Sequence, residues 1–415
     1  MNAKASLETS TDRHDRLTFR ANLRETRYGW LRLTPAYSVH LVEELLDAAN
    51  AENERVLDPF CGTGTTALVC ALRGIPADTT DINPFLVWFA KAKTRRYTER
   101  ERERFIELGG ELSRLLAPRS RRREWLPPLH QIEKWWDEKA LGVLGRLVSQ
   151  INRLEATESA AVIDLTKVLF CQTLIACANV SFGHQSMSFR SRRDGAPAST
   201  ELARIAWQRG LETIANGAAA RVRRLPRVKL ADARSLANAF ERDRFTRVIT
   251  SPPYPNRMSY VRELRPYMYW LGYLSDGRAA GELDWQAIGG TWGTATSRVG
   301  RWEPSATDEV PVRGFSEILR RVSAHSPLLA RYLHKYFADM ARHCRELYPA
   351  LAPGGKLHYV VGNSKFYDVM VPVERIFAEL FEAAGFEAAS VRPIRKRSSK
   401  RELFEFLVSA EKPPR

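Results

Sequence analysis

The sequence predicts an α/β fold whose mostly parallel sheet is split by a large helical insertion. An apolar run at 55–58 is followed by a glycine turn at 62–66 and then by a helical pattern. A second strand, turn and helix follow, and this helix begins near Phe85. The next sheet-like runs do not occur until 228–232 and 247–250. Alternating strands and helices are typical of a parallel sheet, and the long gap between the two groups of strands indicates an insertion.

The domain boundaries follow from changes in this pattern. Residues 95–225 are rich in charge and show long helical stretches, which predicts a helical insertion. The α/β domain is then discontinuous and comprises 1–94 and 226–415. Residues 275–315 are rich in Gly, Trp and Thr and have no clear period, which predicts a long loop.

The composition restricts the class of function. The 415 residues include 64 Lys and Arg against 48 Asp and Glu, and a net charge of +16 suits a partner covered in phosphates. A membrane is disfavoured because the most apolar window, 160–180, carries Asp164 and Lys167, and the polar N-terminus has no secretory signal pattern. We therefore expect a cytoplasmic protein. The five scattered cysteines and eight histidines form no metal-ligand spacing, so we assign no metal.

The sharpest local signal is the segment D-P-F-C-G-T-G-T-T at 58–66. It follows a predicted strand, and doubly wound sheets bind ligands at the carboxyl ends of their strands. Two glycines one residue apart allow a tight turn and close approach of the backbone, while the next helix presents free N–H groups. A glycine turn of this kind is equally compatible with simple strand-to-helix punctuation.

Two acids extend this signal. Asp81, at the end of the next predicted strand, is placed to accept hydrogen bonds from ribose hydroxyls, and Asp232 could reach an adenine amino group. The turn lacks the third glycine of a dinucleotide fingerprint, and the chain has no P-loop motif, so NAD and ATP are disfavoured. The glycine turn is therefore expected to bind a nucleoside ligand that has no pyrophosphate.

The second signal is the turn Ser251-Pro252-Pro253-Tyr254, directly after an apolar strand. Two prolines cannot continue a strand, and the carbonyl of Pro252 is left without a sheet partner. An exocyclic amine of a base is a weak nucleophile, so it needs acceptors for both of its hydrogens. The Ser251 hydroxyl and the Pro252 carbonyl supply such acceptors, and Tyr254 offers a face on which an extruded base can stack.

Together, D-P-F-C-G-T-G-T-T and S-P-P-Y resemble the S-adenosylmethionine-dependent amino-methyltransferases of DNA. The resemblance covers about 30–95 and 226 to the end, and implies a Rossmann-like class I methyltransferase fold in which the discontinuous α/β domain is catalytic. The implied target-binding residues are Ser251, Pro252, Pro253 and Tyr254. The implied cofactor-binding residues are Thr34, Pro35, Asp58, Pro59, Phe60, Cys61, Gly62, Gly64, Thr65 and Asp81, and Asp232 joins them by its position.

The S-P-P-Y form is the one associated with cytosine N4 methylation, whereas D-P-P-Y and N-P-P-Y accompany adenine N6 methylation. One feature departs from the family pattern, because S-P-P-Y commonly precedes the cofactor motif and here follows it. We therefore expect cytosine N4 as the target and keep adenine N6 as the alternative. The base must be flipped out of the duplex to reach the donor.

Basic segments indicate where DNA is contacted. Dense positive runs lie at 119–123, 190–193, 221–224 and 395–401, and such runs are often only solvated surface. We expect some of them to track phosphates and the insertion to contribute to target recognition. The arginines that we predict to bind DNA are Arg190, Arg192, Arg257, Arg262 and Arg265.

The sequence thus predicts a site-specific DNA methyltransferase with S-adenosylmethionine as cofactor and duplex DNA as partner. A cognate restriction endonuclease is a further partner that the resemblance allows, and the sequence leaves the oligomeric state open. Two other functions compete. One is an RNA base N-methyltransferase, disfavoured because only 57 residues precede Asp58. The other is a catalytically silent nucleic-acid-binding protein, which the intact Gly62, Gly64, Ser251 and Tyr254 oppose.

Overall fold

The computed structural model has one seven-stranded sheet with strand order β10-β11-β7-β6-β1-β2-β5. The strands of this sheet are β1 (Val56–Asp58), β2 (Ala77–Asp81), β5 (Arg227–Leu230), β6 (Phe245–Thr250), β7 (Leu351–Gly362), β10 (Glu387–Lys396) and β11 (Phe404–Glu411). Two short hairpins add β3 (Val180–Ser181) with β4 (Ser188–Phe189), and β8 (Ser364–Phe366) with β9 (Val369–Val371). The structure describes residues 17–18, 22–23, 27–33, 36–47, 53–117, 125–181, 188–189, 197–256, 259–291, 293–397 and 402–414.

The sheet is mostly parallel, as predicted. The pairs β1–β2, β1–β6, β2–β5 and β6–β7 are parallel, and only β11 runs against its two neighbours. The inner strand β1 is buried at every position, which is typical of a strand covered on both faces. The sheet and its flanking helices confirm the predicted Rossmann-like fold.

Fourteen α-helices are present in the part of the chain that the structure describes. They are α1 (Val39–Asp47), α2 (Thr65–Arg73), α3 (Pro84–Thr94), α4 (Glu99–Ser113), α5 (Ile132–Trp135), α6 (Glu138–Leu154), α7 (Ala160–Ala176), α8 (Ser199–Ala218), α9 (Tyr260–Trp270), α10 (Gly277–Gln286), α11 (Thr294–Arg301), α12 (Phe315–His325), α13 (Pro327–Ala350) and α14 (Val373–Ala383). Side-chain caps define several helix starts, including Asn83 for α3, Asp137 for α6 and Ser259 for α9.

Helices α4–α8 lie between the second and third strands of the parallel sheet in sequence, where the insertion is predicted. They do not pack as a separate unit, because one hydrophobic core joins Phe105 and Trp207 of these helices to Phe85 of α3 and Trp270 of α9. A second core, which includes Leu333 of α13, covers one face of the sheet, and a third core, which includes Leu68 of α2, covers the opposite face. The division at 95 and 225 into two domains stays a prediction.

A buried arginine ties the N-terminal segment to this helical layer. The Arg27 guanidinium donates to the carbonyls of Gly217, Ala218 and Ala220 at 2.8, 2.8 and 3.1 Å, just where α8 ends. It also donates to the carbonyls of Lys93 and Arg95 at 2.9 and 2.6 Å, at the end of α3. One side chain therefore satisfies carbonyls that the ends of two helices leave without helical donors.

The prediction of a long loop over 275–315 is wrong, because α10 and α11 both lie within it. Their contact is built from small residues: a Cβ atom added at Gly281 would lie 2.3 Å from the Thr294 Oγ1 atom. Buried positions such as Ala280 and Ala295 carry little hydrophobicity, so the periodic signal that marks a helix is weak here.

Among the residues described, no helix is both long and apolar enough to cross a membrane. Within those same ranges, no three His, Cys, Asp or Glu side chains are grouped so that they could hold a metal ion.

Candidate active site

The glycine turn and the S-P-P-Y turn lie side by side at the carboxyl edge of the sheet. Strands β1 and β6 are parallel neighbours, with Leu57 opposite Val248, so the segments that follow them emerge together. The Thr250 hydroxyl donates to the Asp58 carboxylate at 2.6 Å, although 192 positions separate the two residues. The Thr66 hydroxyl donates to the Ile249 carbonyl at 3.2 Å. The two predicted motifs therefore share one site.

The glycine turn depends on backbone conformations that side chains disfavour. Gly62 and Gly64 have φ of 50° and 74°, both in the left-handed region. A Cβ atom at Gly64 would also lie 3.0 Å from the Cβ atom of Ala90, so this glycine is required by packing against α3. The Cys61 N–H donates to the Thr80 carbonyl at 2.8 Å, and this bond folds the turn over the end of β2.

Asp81 is a suitable receptor for a ligand at this turn. Its two carboxylate oxygens accept hydrogen bonds from the Gly62 and Asn83 backbone N–H groups, each at 2.9 Å. Burial is the main cause that raises the pKa of Asp81 to about 6. Each oxygen keeps a second lone pair, so the carboxylate can also accept from a ribose hydroxyl. The first amides of α2 have no helical acceptor and face the same turn.

Asp58 has a different environment from the one expected of a ligand-binding acid. It is only 1% exposed, and its Oδ1 atom accepts from both the Thr250 hydroxyl and the Phe60 N–H. Its Oδ2 atom is buried and has no hydrogen-bond partner within the described part of the chain. Burial raises the pKa of Asp58 to about 7. The structure thus places Asp58 beneath the turn, as a brace between β1 and β6.

The other predicted cofactor residues surround this turn. The Pro59 carbonyl accepts from the Thr80 hydroxyl at 2.9 Å, and the Phe60 ring meets the His343 ring edge-on at 4.8 Å. Cys61 and Thr65 are buried, and burial raises the pKa of the Cys61 thiol. Thr34 and Pro35 lie outside the described residues.

Asp232 follows β5 and lies at the same edge of the sheet, but its carboxylate already has a partner. The Arg234 guanidinium donates to both oxygens of Asp232, at 3.0 Å for Oδ1 and 2.7 Å for Oδ2, and also to Asp339 at 2.8 Å. The pKa of Asp232 is lowered because hydrogen bonds from Arg234 outweigh the effect of burial. A contact between Asp232 and an adenine amino group stays a prediction.

The S-P-P-Y turn is held by hydrogen bonds with three other elements. The Ser251 hydroxyl donates to the Val360 carbonyl of β7 at 3.0 Å and also interacts with the Tyr254 hydroxyl, which leaves one lone pair of its oxygen as an acceptor. The Tyr336 hydroxyl of α13 donates to the Pro253 carbonyl at 2.6 Å. No described residue donates to the Pro252 carbonyl, and the Tyr254 N–H donates to the Tyr260 hydroxyl at 3.4 Å.

The Tyr254 ring packs against the end of β7. A Cβ atom at Gly362 would lie 2.9 Å from the ring atom Cε2, so a glycine is required for this close approach. The Arg397 guanidinium lies over the ring, 5.6 Å from its centroid. Burial raises the pKa of Tyr254, so the hydroxyl stays neutral. No local pattern links Tyr260, Tyr336 or Arg397 to this turn, so their contacts with it could not be predicted from the sequence.

The predicted DNA-binding arginines have different environments. Arg262 is exposed on the first turn of α9, immediately beyond the S-P-P-Y turn. Arg265 is half-buried with its guanidinium 4.8 Å from the centroid of the Trp135 ring, and burial lowers the pKa of Arg265 to about 10. Arg190, Arg192 and Arg257 lie outside the described residues.

Comparison with known proteins identifies the chemistry. Residues 24–97, which contain the glycine turn and Asp81, match the family model of the DNA methylases (N6_N4_Mtase). The Type II methyltransferase M.AvaI of Nostoc sp. is 22% identical over 93% of this chain and 85% of its own length. These matches support an amino-methyltransferase that uses S-adenosylmethionine as its methyl donor.

Other relatives agree with this assignment. This chain is 22% identical to the Type II methyltransferase M.MvaI of Kocuria varians, over 82% of this chain and 76% of the relative. The Type II methyltransferase M.BsoBI of Geobacillus stearothermophilus is 32% identical over 19% of this chain and 15% of the relative. Among solved structures, TrmN from Thermus thermophilus aligns over 96% of this chain and 53% of its own chain, with 12% identity and a TM-score of 0.31.

Proposed function

We propose that this amino-methyltransferase transfers the methyl group of S-adenosylmethionine to the N4 amino group of a flipped cytosine in duplex DNA. The observation that carries the proposal is the contact between Thr250 and Asp58, which brings the acceptor turn to the cofactor turn. Relatives named as Type II methyltransferases and the net charge of +16 support DNA as the substrate. Adenine N6 is the alternative target.

The cofactor fits the glycine turn. The free lone pairs of Asp81 suit ribose hydroxyls, and the first amides of α2 suit a carboxylate. We propose that Gly62, Gly64 and Thr65 line the cofactor with their backbone, with Phe60 at one side. When bound, the cofactor supplies a methyl group activated by a sulfonium. Asp58 acts indirectly in this proposal, because its carboxylate is buried below the turn.

The target amine is held by the S-P-P-Y turn. The Ser251 oxygen and the Pro252 carbonyl accept its two hydrogens and so increase the electron density on nitrogen. The Tyr254 ring stacks on the base, a contact worth roughly 1–3 kcal/mol in single-strand binding. Nitrogen then attacks the methyl carbon in line while the carbon–sulfur bond breaks. The nitrogen is strongly acidic once it is methylated, so its proton can leave without a strong base.

We also propose that the insertion 95–225 contributes to recognition of the DNA sequence. Its helices share a core with α9, which begins six residues after Tyr254 and carries the exposed Arg262. A recognition surface on these helices would therefore be rigidly connected to the target turn. A cognate restriction endonuclease is a proposed companion, and protection of methylated DNA from such an enzyme would test it.

Transfer of a labelled methyl group tests the proposed function. The enzyme is incubated with methyl-tritiated S-adenosylmethionine and long genomic duplex DNA, or with RNA, and the product is digested and analysed by mass. We expect label in DNA as N4-methylcytosine and almost none with Tyr254→Ala, which should still bind the cofactor. N6-methyladenine would select the alternative, label in RNA alone would establish an RNA enzyme, and cofactor binding without transfer would indicate a silent protein.

A further inference from the structure

The hairpin of β10 and β11 brings a basic segment to the edge of the sheet that carries the active site. Strand β11 is antiparallel to both β7 and β10, so β10 runs in the same direction as β7. Glu405 lies opposite Gly362, and Lys396 lies opposite Phe404. The residue after β10 is therefore next to the end of β7, against which the Tyr254 ring packs.

Arg397 occupies this position and is firmly held. Its backbone N–H donates to the Leu403 carbonyl at 2.7 Å, and its Nη1 atom donates to the Asn363 carbonyl at 3.2 Å. The Asn363 carboxamide in turn donates to the Glu402 carbonyl at 2.9 Å and accepts from the Phe404 N–H at 2.8 Å. The guanidinium thus has a defined place over the Tyr254 ring.

The charge of Arg397 is not neutralised by its neighbours. Arg395 forms a two-bond ion pair with Glu405, both bonds at 2.7 Å, and Lys365 pairs with Glu402 at 2.5 Å. Among the residues that the structure describes, no carboxylate forms an ion pair with Arg397. A guanidinium has five N–H donors, and only one of those of Arg397 has an acceptor in the described part of the chain. A half-buried cation with spare donors favours an anion.

We infer that Arg397 binds a phosphate of the target nucleotide while its guanidinium covers the Tyr254 ring. The inference rests on the proposed function, in which the flipped base stacks on Tyr254, because the phosphates of that nucleotide are then the nearest anions. Arg397 is in this way a substrate-binding residue that also orients the stacking surface. A planar guanidinium can stack and donate two parallel hydrogen bonds at once, which a lysine ammonium cannot.

Another basic run is at the wrong edge for this role. The Arg223 N–H donates to the Ala71 carbonyl near the end of α2, and the Arg96 guanidinium donates to the Val222 carbonyl. Helix α2 begins at the active-site edge, so its end lies at the opposite edge of the sheet. The run at 221–224 therefore cannot contact the nucleotide that reaches Tyr254.

The test compares Arg397→Gln and Arg397→Lys with a matched control, Arg392→Gln. Arg392 lies on β10, five residues before Arg397, is 54% exposed and pairs only loosely with Glu44 at 3.5 Å. Two measurements are made at several salt concentrations: initial methylation rates against concentration of long genomic duplex DNA, and binding of a short fluorescein-labelled duplex. We expect Arg397→Gln to raise the KM for DNA about ten- to a hundredfold, the range for a lost hydrogen bond between charged groups.

The salt dependence distinguishes a phosphate contact from simple support of the ring. Loss of one phosphate contact should reduce the slope of log affinity against log salt by about 0.9, and Arg397→Lys should restore the slope but not the full rate. The KM for S-adenosylmethionine should stay unchanged. A slope for Arg397→Gln equal to that of Arg392→Gln would overturn the inference. If the unsubstituted protein transfers no label to DNA, the proposed function is wrong. The binding measurement still shows whether Arg397 contacts a DNA phosphate.

Discussion

Substitution of Tyr336 by phenylalanine removes a single hydroxyl that holds the catalytic turn. Tyr336 is 1% exposed, and its hydroxyl donates to the Pro253 carbonyl at 2.6 Å. The aromatic ring remains, so no cavity forms, but the carbonyl loses its donor. An unsatisfied carbonyl of this kind costs about 1–3 kcal/mol, which is the expected decrease in the free energy of unfolding.

The effect on catalysis should be larger than the loss of stability suggests. Pro253 lies between the Pro252 carbonyl and the Tyr254 ring, so movement of its carbonyl displaces both groups that are proposed to hold the base. A displacement of about 1 Å can cost on the order of a hundredfold in rate. We expect a tenfold or greater decrease in kcat and an unchanged KM for S-adenosylmethionine, because Tyr336 does not contact the glycine turn.

The assay is steady-state transfer of labelled methyl to DNA, together with urea unfolding of the same variant. Tyr97→Phe is a matched control, since its hydroxyl donates to the Ala92 carbonyl at 2.8 Å away from the catalytic turn. The control should lose stability but keep its kcat. A Tyr336→Phe enzyme with the kcat of Tyr97→Phe would refute the claim that this hydrogen bond positions the turn.

Three other substitutions address the cofactor turn, a buried acid and the N-terminal anchor. Gly64→Ala should cost about 1–2 kcal/mol of stability through its positive φ and also raise the KM for S-adenosylmethionine, because of the clash with Ala90. Gly354→Ala, which has a φ of 72° and open space, should lose only stability. The folded protein retains the Asp58 proton up to about pH 7, whereas the unfolded chain loses it near pH 4, so the free energy of unfolding falls between these values. Asp58→Asn should remove this pH-dependent decrease. If urea unfolding of Asp58→Asn at pH 5 and pH 8 shows an undiminished decrease in the free energy of unfolding, Asp58 is not its source. Arg27→Met removes five hydrogen bonds to carbonyls and should destabilise by at least about 3 kcal/mol, as measured by urea unfolding; a smaller loss than that of Arg392→Met would contradict the anchoring role.

The sequence alone determined the elements that its local patterns encode. The apolar runs before Asp58 and Ser251 predicted two strands, and the glycines at 62 and 64 predicted a tight turn, and the structure contains all three. Strand alternation and glycine conformation depend on neighbouring residues, so these features are readable from the chain. The helices α10 and α11 were missed because their buried contact uses small residues, whose weak hydrophobicity hides the helical period.

Tertiary structure alone decided which distant residues meet. The parallel register of β1 and β6 puts Thr250 against Asp58, and helix α13 brings Tyr336 to Pro253. The hairpin that places Arg397 over Tyr254 also decides which basic run reaches the active-site edge. These contacts span tens to hundreds of residues and arise from strand order and packing. No local pattern encodes these contacts. The sequence motifs therefore predicted the reaction, whereas strand order and packing determined which side chains hold the two turns in place.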